Sequence, residues 1–213
     1  MAGPDRAALV AEAQRLDALG FMPSKSGNLS VRTESGFLIT PAGLPYAETA
    51  PGDLVEVALD GRVVAGNRRP SSEWRLHAAV YAARPEAGAV VHTHSPFATA
   101  LSCARERIPP LHYMIALAGG EDIRCSVYAT FGTAELAGAC VAALEGRKAA
   151  LLANHGVVAF GTTLAGARTL AMEVENLARQ YLALRAAGLP PVLLTQQELA
   201  GVFAQFGDYG RLG

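Results

Sequence analysis

Four side chains with lone pairs suited to a metal ion stand out in the sequence. His92 and His94 lie two residues apart in "AVVHTHSP", His155 sits in "LLANHGVVAF", and Glu73 sits in "RPSSEWRLH". In an extended strand, residues i and i+2 project to one face about 7 Å apart at Cα, so the two imidazoles can aim at one point while Thr93 turns away. Neutral imidazole is the commonest metal ligand, and three nitrogens with one open position suit a catalytic zinc. Each residue also has a plainer reading. A His-x-His pair can be two polar residues where a strand surfaces, His155 a turn residue exposed by Gly156, and Glu73 an acid stabilised by a helix N-terminus at up to about 1 kcal/mol. His77 and His112 each stand alone on a helix face or loop and are left outside the set.

Two further stretches suit an anion. Ser71 and Ser72 precede an amphipathic run, and hydroxyls with free amides at a helix N-terminus bind phosphate. The glycine-bearing "SKSGNLS" and "TPAGLPY" add backbone amides, the Asn28 amide and the Lys25 cation as a second wall. Neither follows the phosphate-loop or dinucleotide fingerprints, so a small phosphoester is favoured over a nucleotide.

The elements that must position these groups follow from pattern. Apolar residues Leu9, Ala13, Leu16 and Leu19 recur at helical spacing before Gly20, giving a helix over 5–19. "NLSVRTESGFLIT" and "LVEVALDGRVV" alternate apolar and polar residues around Glu34-Ser35-Gly36 and Asp60-Gly61, which predicts two hairpins. A helix over 73–83 should be capped by Ser71 and Ser72, and "AGAVVHTH" should be a short buried strand that stops where Ser95-Pro96 opens the next helix. Strands are expected at 123–128, 149–153 and 157–160, and helices at 133–144, 163–187 and 195–206. Together these predict an α/β fold, layered around a mixed or antiparallel sheet.

Composition sets limits. A length of 213 residues fits one domain, 1–213, without a repeat or interdomain linker. The hydrophobic fraction of 51% comes without any run near the ~18 apolar residues of a membrane span. Eighteen Lys and Arg against 19 Asp and Glu leave a net charge of −1, too little to recruit nucleic acid or anionic lipid. The N-terminus lacks the basic and apolar regions of a secretory signal, which points to the cytoplasm. Cys103, Cys125 and Cys140 are odd in number and widely spaced, and are expected to be small buried hydrophobes.

The segments "SGNLSVR", "LITPAGLPY", "PSSEWRLH", "AVVHTHSPFATA", "IPPLHYMIALAGG", "YATFGTAEL" and "NHG" together resemble the class II aldolase/adducin family, and within it bacterial L-fuculose-1-phosphate aldolases. That resemblance runs over nearly the whole chain. It implies a three-layer α/β/α sandwich with a mostly antiparallel central sheet, assembled as a homotetramer with active sites between subunits. It implies one Zn2+ per subunit on Glu73, His92, His94 and His155, with Glu73 also the base. Phosphate of a ketose 1-phosphate would be gripped by Gly27, Asn28, Ala42, Gly43, Ser71 and Ser72, with Lys25 adjacent. Tyr113, Phe131 and Tyr209 would surround the aldehyde end, Tyr113 reaching the site of an adjacent subunit. Products would be dihydroxyacetone phosphate and a small aldehyde such as L-lactaldehyde.

Several positions depart from that pattern. Lys25 and Ala42 stand where close relatives carry threonine, Asn154 replaces a histidine found in some relatives, and Arg211 comes one place early. Related activities in the same family are a 4-epimerase, in which Asp replaces the residue at Glu73, a methylthioribulose 1-phosphate dehydratase, and aldolases for 5-deoxyribulose 1-phosphate. A non-catalytic adducin-like protein would be expected to lose ligands that this chain retains.

Overall fold

The computed structural model describes residues 5–208. Seven strands form one sheet in the order β4-β3-β2-β1-β5-β7-β6, and every ladder between them is antiparallel. The strands are β1 (Asn28–Arg32), β2 (Phe37–Ile39), β3 (Val55–Val57), β4 (Val63–Ala65), β5 (Ala89–Thr93), β6 (Ala149–Leu152) and β7 (Gly156–Gly161). The helices are α1 (Arg6–Ala18), α2 (Trp74–Ala83), α3 (Pro96–Cys103), α4 (Ala134–Ala143), α5 (Leu164–Ala186) and α6 (Gln196–Asp208).

Both faces of the sheet are covered, which explains the apolar runs in β6, β7 and the first three residues of β5. In β5, Ala89 and Val91 pack into a cluster with Leu9, Leu101, Val174 and other side chains of α1, α3 and α5. Val90 points the other way, into a cluster with Leu76 and Val80 of α2 and Leu136 and Cys140 of α4. The result is the α/β/α arrangement implied by the resemblance. Alternation along β5 also assigns His92 to the α2 side.

Antiparallel pairing does the positioning. His92 at the end of β5 pairs with Asn28 at the start of β1 and with Val158 near the start of β7. Asn28, His92 and, one residue before β7, His155 therefore meet at one end of the central strands. Bridging between Pro41 and Pro70, with the Ala42 amide donating to the Arg69 carbonyl and the Ser71 amide to the Thr40 carbonyl, lays loops 40–43 and 69–72 side by side next to it.

Four expectations are corrected. Segment 123–128 is not a strand: it makes isolated bridges only, from Ile123 to Ile108 and from Cys125 to Leu151 of β6. Neither serine caps α2, whose cap position is Glu73 itself; Ser71 Oγ accepts only from the Glu73 amide. In the turn before β7 the left-handed residue is Asn154, at φ 55°, not Gly156. Of the three cysteines only Cys140 is buried, Cys125 being intermediate and Cys103 exposed.

A similar substitution of roles occurs at α3. Ser95 sits at its cap position without a side-chain capping bond, and the buried carboxylate of Glu175, from α5, accepts instead from the Phe97 and Ala98 amides, each at 2.9 Å. Two charge-assisted bonds at a helix N-terminus pin α3 directly behind His92 and His94. Glu175→Ala should cost about 2 kcal/mol in urea unfolding, read as a lower midpoint at unchanged slope. A loss within about 0.5 kcal/mol would show that water replaces the cap.

Candidate active site

Glu73, His92, His94 and His155 converge so that one ligand atom from each lies within 4.8 Å of all the others. His92 Nε2 lies 3.0 Å from Glu73 Oε2, His155 Nε2 lies 3.2 Å from Glu73 Oε1, and the Nε2 atoms of His92 and His94 are 3.1 Å apart. A tetrahedral ion with metal–nitrogen bonds near 2.0–2.1 Å separates its ligands by about 3.3 Å, so the cluster has the right size. The three rings stand 4.8 to 4.9 Å apart between centroids, at steep mutual angles of 71° to 87°, which turns their edges to a common point.

Local structure explains the convergence. His92 Nδ1 donates to the Val157 carbonyl at 2.8 Å, a bond that fixes the ring and leaves Nε2 for an ion. Gly156 makes room for the pair, because a Cβ there would stand 2.4 Å from the Thr93 carbonyl oxygen and 3.0 Å from the His94 ring. Glu73 Oε1 is buried without a hydrogen-bond partner. Such an orphaned carboxylate oxygen facing imidazole nitrogens fits a cation between them. These four side chains could hold a divalent metal.

Electrostatics among these side chains point the same way. Burial favours neutral Glu73, yet the facing His92 and His155 rings outweigh it and hold the carboxyl well below the usual carboxylate range. Burial likewise opposes charging His92, and the Glu73 carboxylate raises its pKa nonetheless. His94 is pushed down to about 3 by burial and then by the other two rings, so it offers a neutral lone pair.

All seven residues singled out for phosphate line one cavity of about 290 Å3: Lys25, Gly27, Asn28, Ala42, Gly43, Ser71 and Ser72. Glu73, His94, His155 and Phe131 line it as well, so the residues suited to an anion share one space with those that could hold a metal. Lys25 is the cation among those lining residues and lies in the left-handed region at φ 66°, next to Ser24 at 57°, a strained pair of the kind functional loops retain. Gly27 is at φ 73°, and a Cβ on it would come within 2.7 Å of the His92 carbonyl oxygen.

The aldehyde-end candidates divide. Phe131 lines the cavity and is 66% exposed; Tyr113 does not line it and is 51% exposed, its ring 6.5 Å from that of Phe206; Tyr209 lies outside the described residues. Tyr128, Ala129 and Asn154 also line the cavity. Tyr128 and Ala129 fall in the "YATF" segment beside Phe131, and Asn154, noted above only as a departure, precedes His155 in "NHG".

A family model described as the class II aldolase and adducin N-terminal domain matches residues 7–182. The chain belongs to this family. A 5-methylthioribulose-1-phosphate/5-deoxyribulose-1-phosphate aldolase of Rhodospirillum rubrum is 50% identical over 206 residues, 96% of this chain and 92% of that protein. An L-fuculose phosphate aldolase of Escherichia coli K12 is 46% identical over 192 residues, 90% and 89% of the two chains. Among solved structures, an L-fuculose 1-phosphate aldolase superposes with a TM-score of 0.92 at 39% identity, covering 97% of this chain and 98% of that one. Aldolases on both sides of the comparison make this family member a class II aldolase. Among the described residues no helix is long and apolar enough to cross a membrane.

His94→Ala in this aldolase should lower affinity for a divalent ion by about 100-fold or more, seen as loss of bound metal after dialysis. A full equivalent retained by the variant would remove His94 from the ligand set.

Proposed function

We propose that this class II aldolase, acting as one domain, cleaves a ketose 1-phosphate reversibly to dihydroxyacetone phosphate and a small aldehyde, with Zn2+ held by Glu73, His92, His94 and His155. The carrying observation is the shared cavity, lined by seven anion-suited residues and by Glu73, His94 and His155 of the four-residue cluster, with His92 buried behind them. When bound, a divalent cation supplies Lewis-acid stabilisation of the negative charge left by carbon–carbon cleavage, worth several kcal/mol.

The chain's own residues do the rest. Lys25, Gly27, Asn28, Ala42, Gly43, Ser71 and Ser72 hold the phosphate, so binding energy remote from the reacting bond sets its position. Glu73 carries the proton to and from the dihydroxyacetone phosphate carbon. A carboxylate with so low a pKa is a poor base while it faces the imidazoles. It gains basicity as it turns from them toward substrate. Phe131 and Tyr209 border the aldehyde, and Tyr113 of an adjacent subunit in a cytoplasmic homotetramer exchanges the proton at the aldehyde oxygen.

L-Fuculose 1-phosphate, giving L-lactaldehyde, is the first substrate reading, supported by the E. coli relative and the structural neighbour. A second, 5-methylthioribulose or 5-deoxyribulose 1-phosphate, is favoured by the relative that is 50% identical and by the apolar side chains of Ala129 and Phe131 in the cavity lining. Epimerase chemistry is less consistent with Glu73, and an adducin-like scaffold with the intact ligand cluster.

A panel of ketose 1-phosphates assayed for dihydroxyacetone phosphate separates these readings: release from L-fuculose 1-phosphate, or from the five-carbon substrates, selects between them. No release from any by metal-loaded protein would refute the aldolase assignment of substrate class. Glu73→Gln should keep the metal and lose about a hundredfold or more in kcat. Unchanged turnover in that variant would take the base role from Glu73.

A further inference from the structure

Behind Glu73 a row of polar side chains runs through the interior between β1 and α2. Residues 28, 30 and 32 project from one face of β1 about 6.8 Å apart. Residues 73, 77 and 81 recur about every 6 Å along one face of α2. These repeats nearly match, so the two rows stay in step for three pairs. Glu73 Oε2 lies 3.0 Å from Asn28 Nδ2, Asn28 Oδ1 lies 2.5 Å from His77 Nε2, His77 Nδ1 lies 2.6 Å from Ser30 Oγ, and Ser30 Oγ lies 2.8 Å from the Tyr81 hydroxyl. Arg32 closes the far end, its guanidinium 4.7 Å from the Tyr81 ring centre and donating to the Tyr81 carbonyl at 2.9 Å.

Polarity along this row is fixed at its Glu73 end. An ionised carboxylate only accepts, so Asn28 must present its amide nitrogen there and turn Oδ1 toward His77. Oδ1 also only accepts, which puts the ring hydrogen on Nε2. Burial first, and His92 second, lower the His77 pKa to about 3, so the ring is neutral and Nδ1 is bare. Nδ1 then accepts from Ser30, whose oxygen accepts from Tyr81. The opposite tautomer would set two acceptors face to face, and Asn28 would relieve the clash by turning its carbonyl toward the Glu73 carboxylate.

His77 is fully buried, turns its ring nitrogens to Asn28 and Ser30, and is not among the residues lining the cavity. An apolar residue would fill the same space without the cost of burying an imidazole. We propose that His77 is a positioning residue: as the Nε2–H tautomer it locks the Asn28 amide, and Asn28 in turn holds Glu73 in the orientation from which it transfers the substrate proton. This rests on the reading of Glu73 as the base.

Two substitutions separate positioning from packing. In His77→Asn the shorter amide stands near Nδ1 and keeps Ser30 but not Asn28, whereas His77→Gln reaches the Nε2 position and keeps Asn28. Both bury an amide, so a general packing defect falls on both. With full-length, zinc-loaded protein, kcat should fall about tenfold or more in His77→Asn and stay within about threefold in His77→Gln, at equal zinc content. Equal kcat in the two variants would overturn the proposal. Nitrogen NMR of ring-labelled wild-type protein should show a neutral Nε2–H ring at His77, and an Nδ1–H ring would overturn it without any turnover being measured. A wild-type protein with the Nε2–H ring that cleaves no ketose phosphate would instead refute the proposed function and leave the orientation of Asn28 in place.

Discussion

A carboxylate buried against three imidazoles is the interaction on which the rest of this structure depends. Glu73 is 6% exposed and His92 is not exposed at all, so neither can be charged there without a partner. Each supplies what the other lacks, and a divalent cation would satisfy all four side chains together. Much of the surrounding architecture can be understood as keeping these groups from moving apart.

Three devices serve that end. The antiparallel register puts the end of β5 beside the starts of β1 and β7, so candidate ligands distant in sequence gather at one end of the central strands. Gly156 removes the one Cβ that would collide with the His94 ring and the Thr93 carbonyl. Glu175 reaches across from α5 to the first amides of α3, restraining the chain just after His94. The Asn28–His77–Ser30–Tyr81 row adds a fourth restraint on the far side of Glu73. Such a fully connected buried network tolerates one orientation of each member, which is a stronger constraint than packing alone.

Where phosphate is proposed to bind, Lys25 adds a cation on a flexible stem to a lining otherwise made of amides and hydroxyls. A point charge on a flexible stem attracts phosphate with less directional demand than a fixed hydroxyl. The other end of the cavity is wide and partly apolar, with Phe131 and Tyr128 more than half exposed. A polar end and a wide, partly apolar end would, in the proposed reaction, hold the phosphate firmly and leave room for different aldehydes.

Helices, hairpins and the ligand quartet were legible in the sequence because each depends on local signals: apolar periodicity, turn residues, and imidazoles at strand spacing. The strand expected at 123–128 failed because its alternation was real but its pairing was not; a single bridge to Leu151 is all that β6 offers at that edge. The serine caps failed because a distant carboxylate or the backbone can satisfy the same amides, as Glu175 does at α3. His77 was set aside as a lone helix histidine, although Asn-x-Ser-x-Arg and Glu-x3-His-x3-Tyr already carried the two periods that interlock. The sequence by itself determined which residues could bind a cation and an anion, since that follows from side-chain chemistry and strand or helix period. Only the tertiary structure decided that they face one cavity and that His77 stands behind Glu73, because register between β1, β5, β7 and α2 is set by packing on both faces of the sheet and no local signal encodes it.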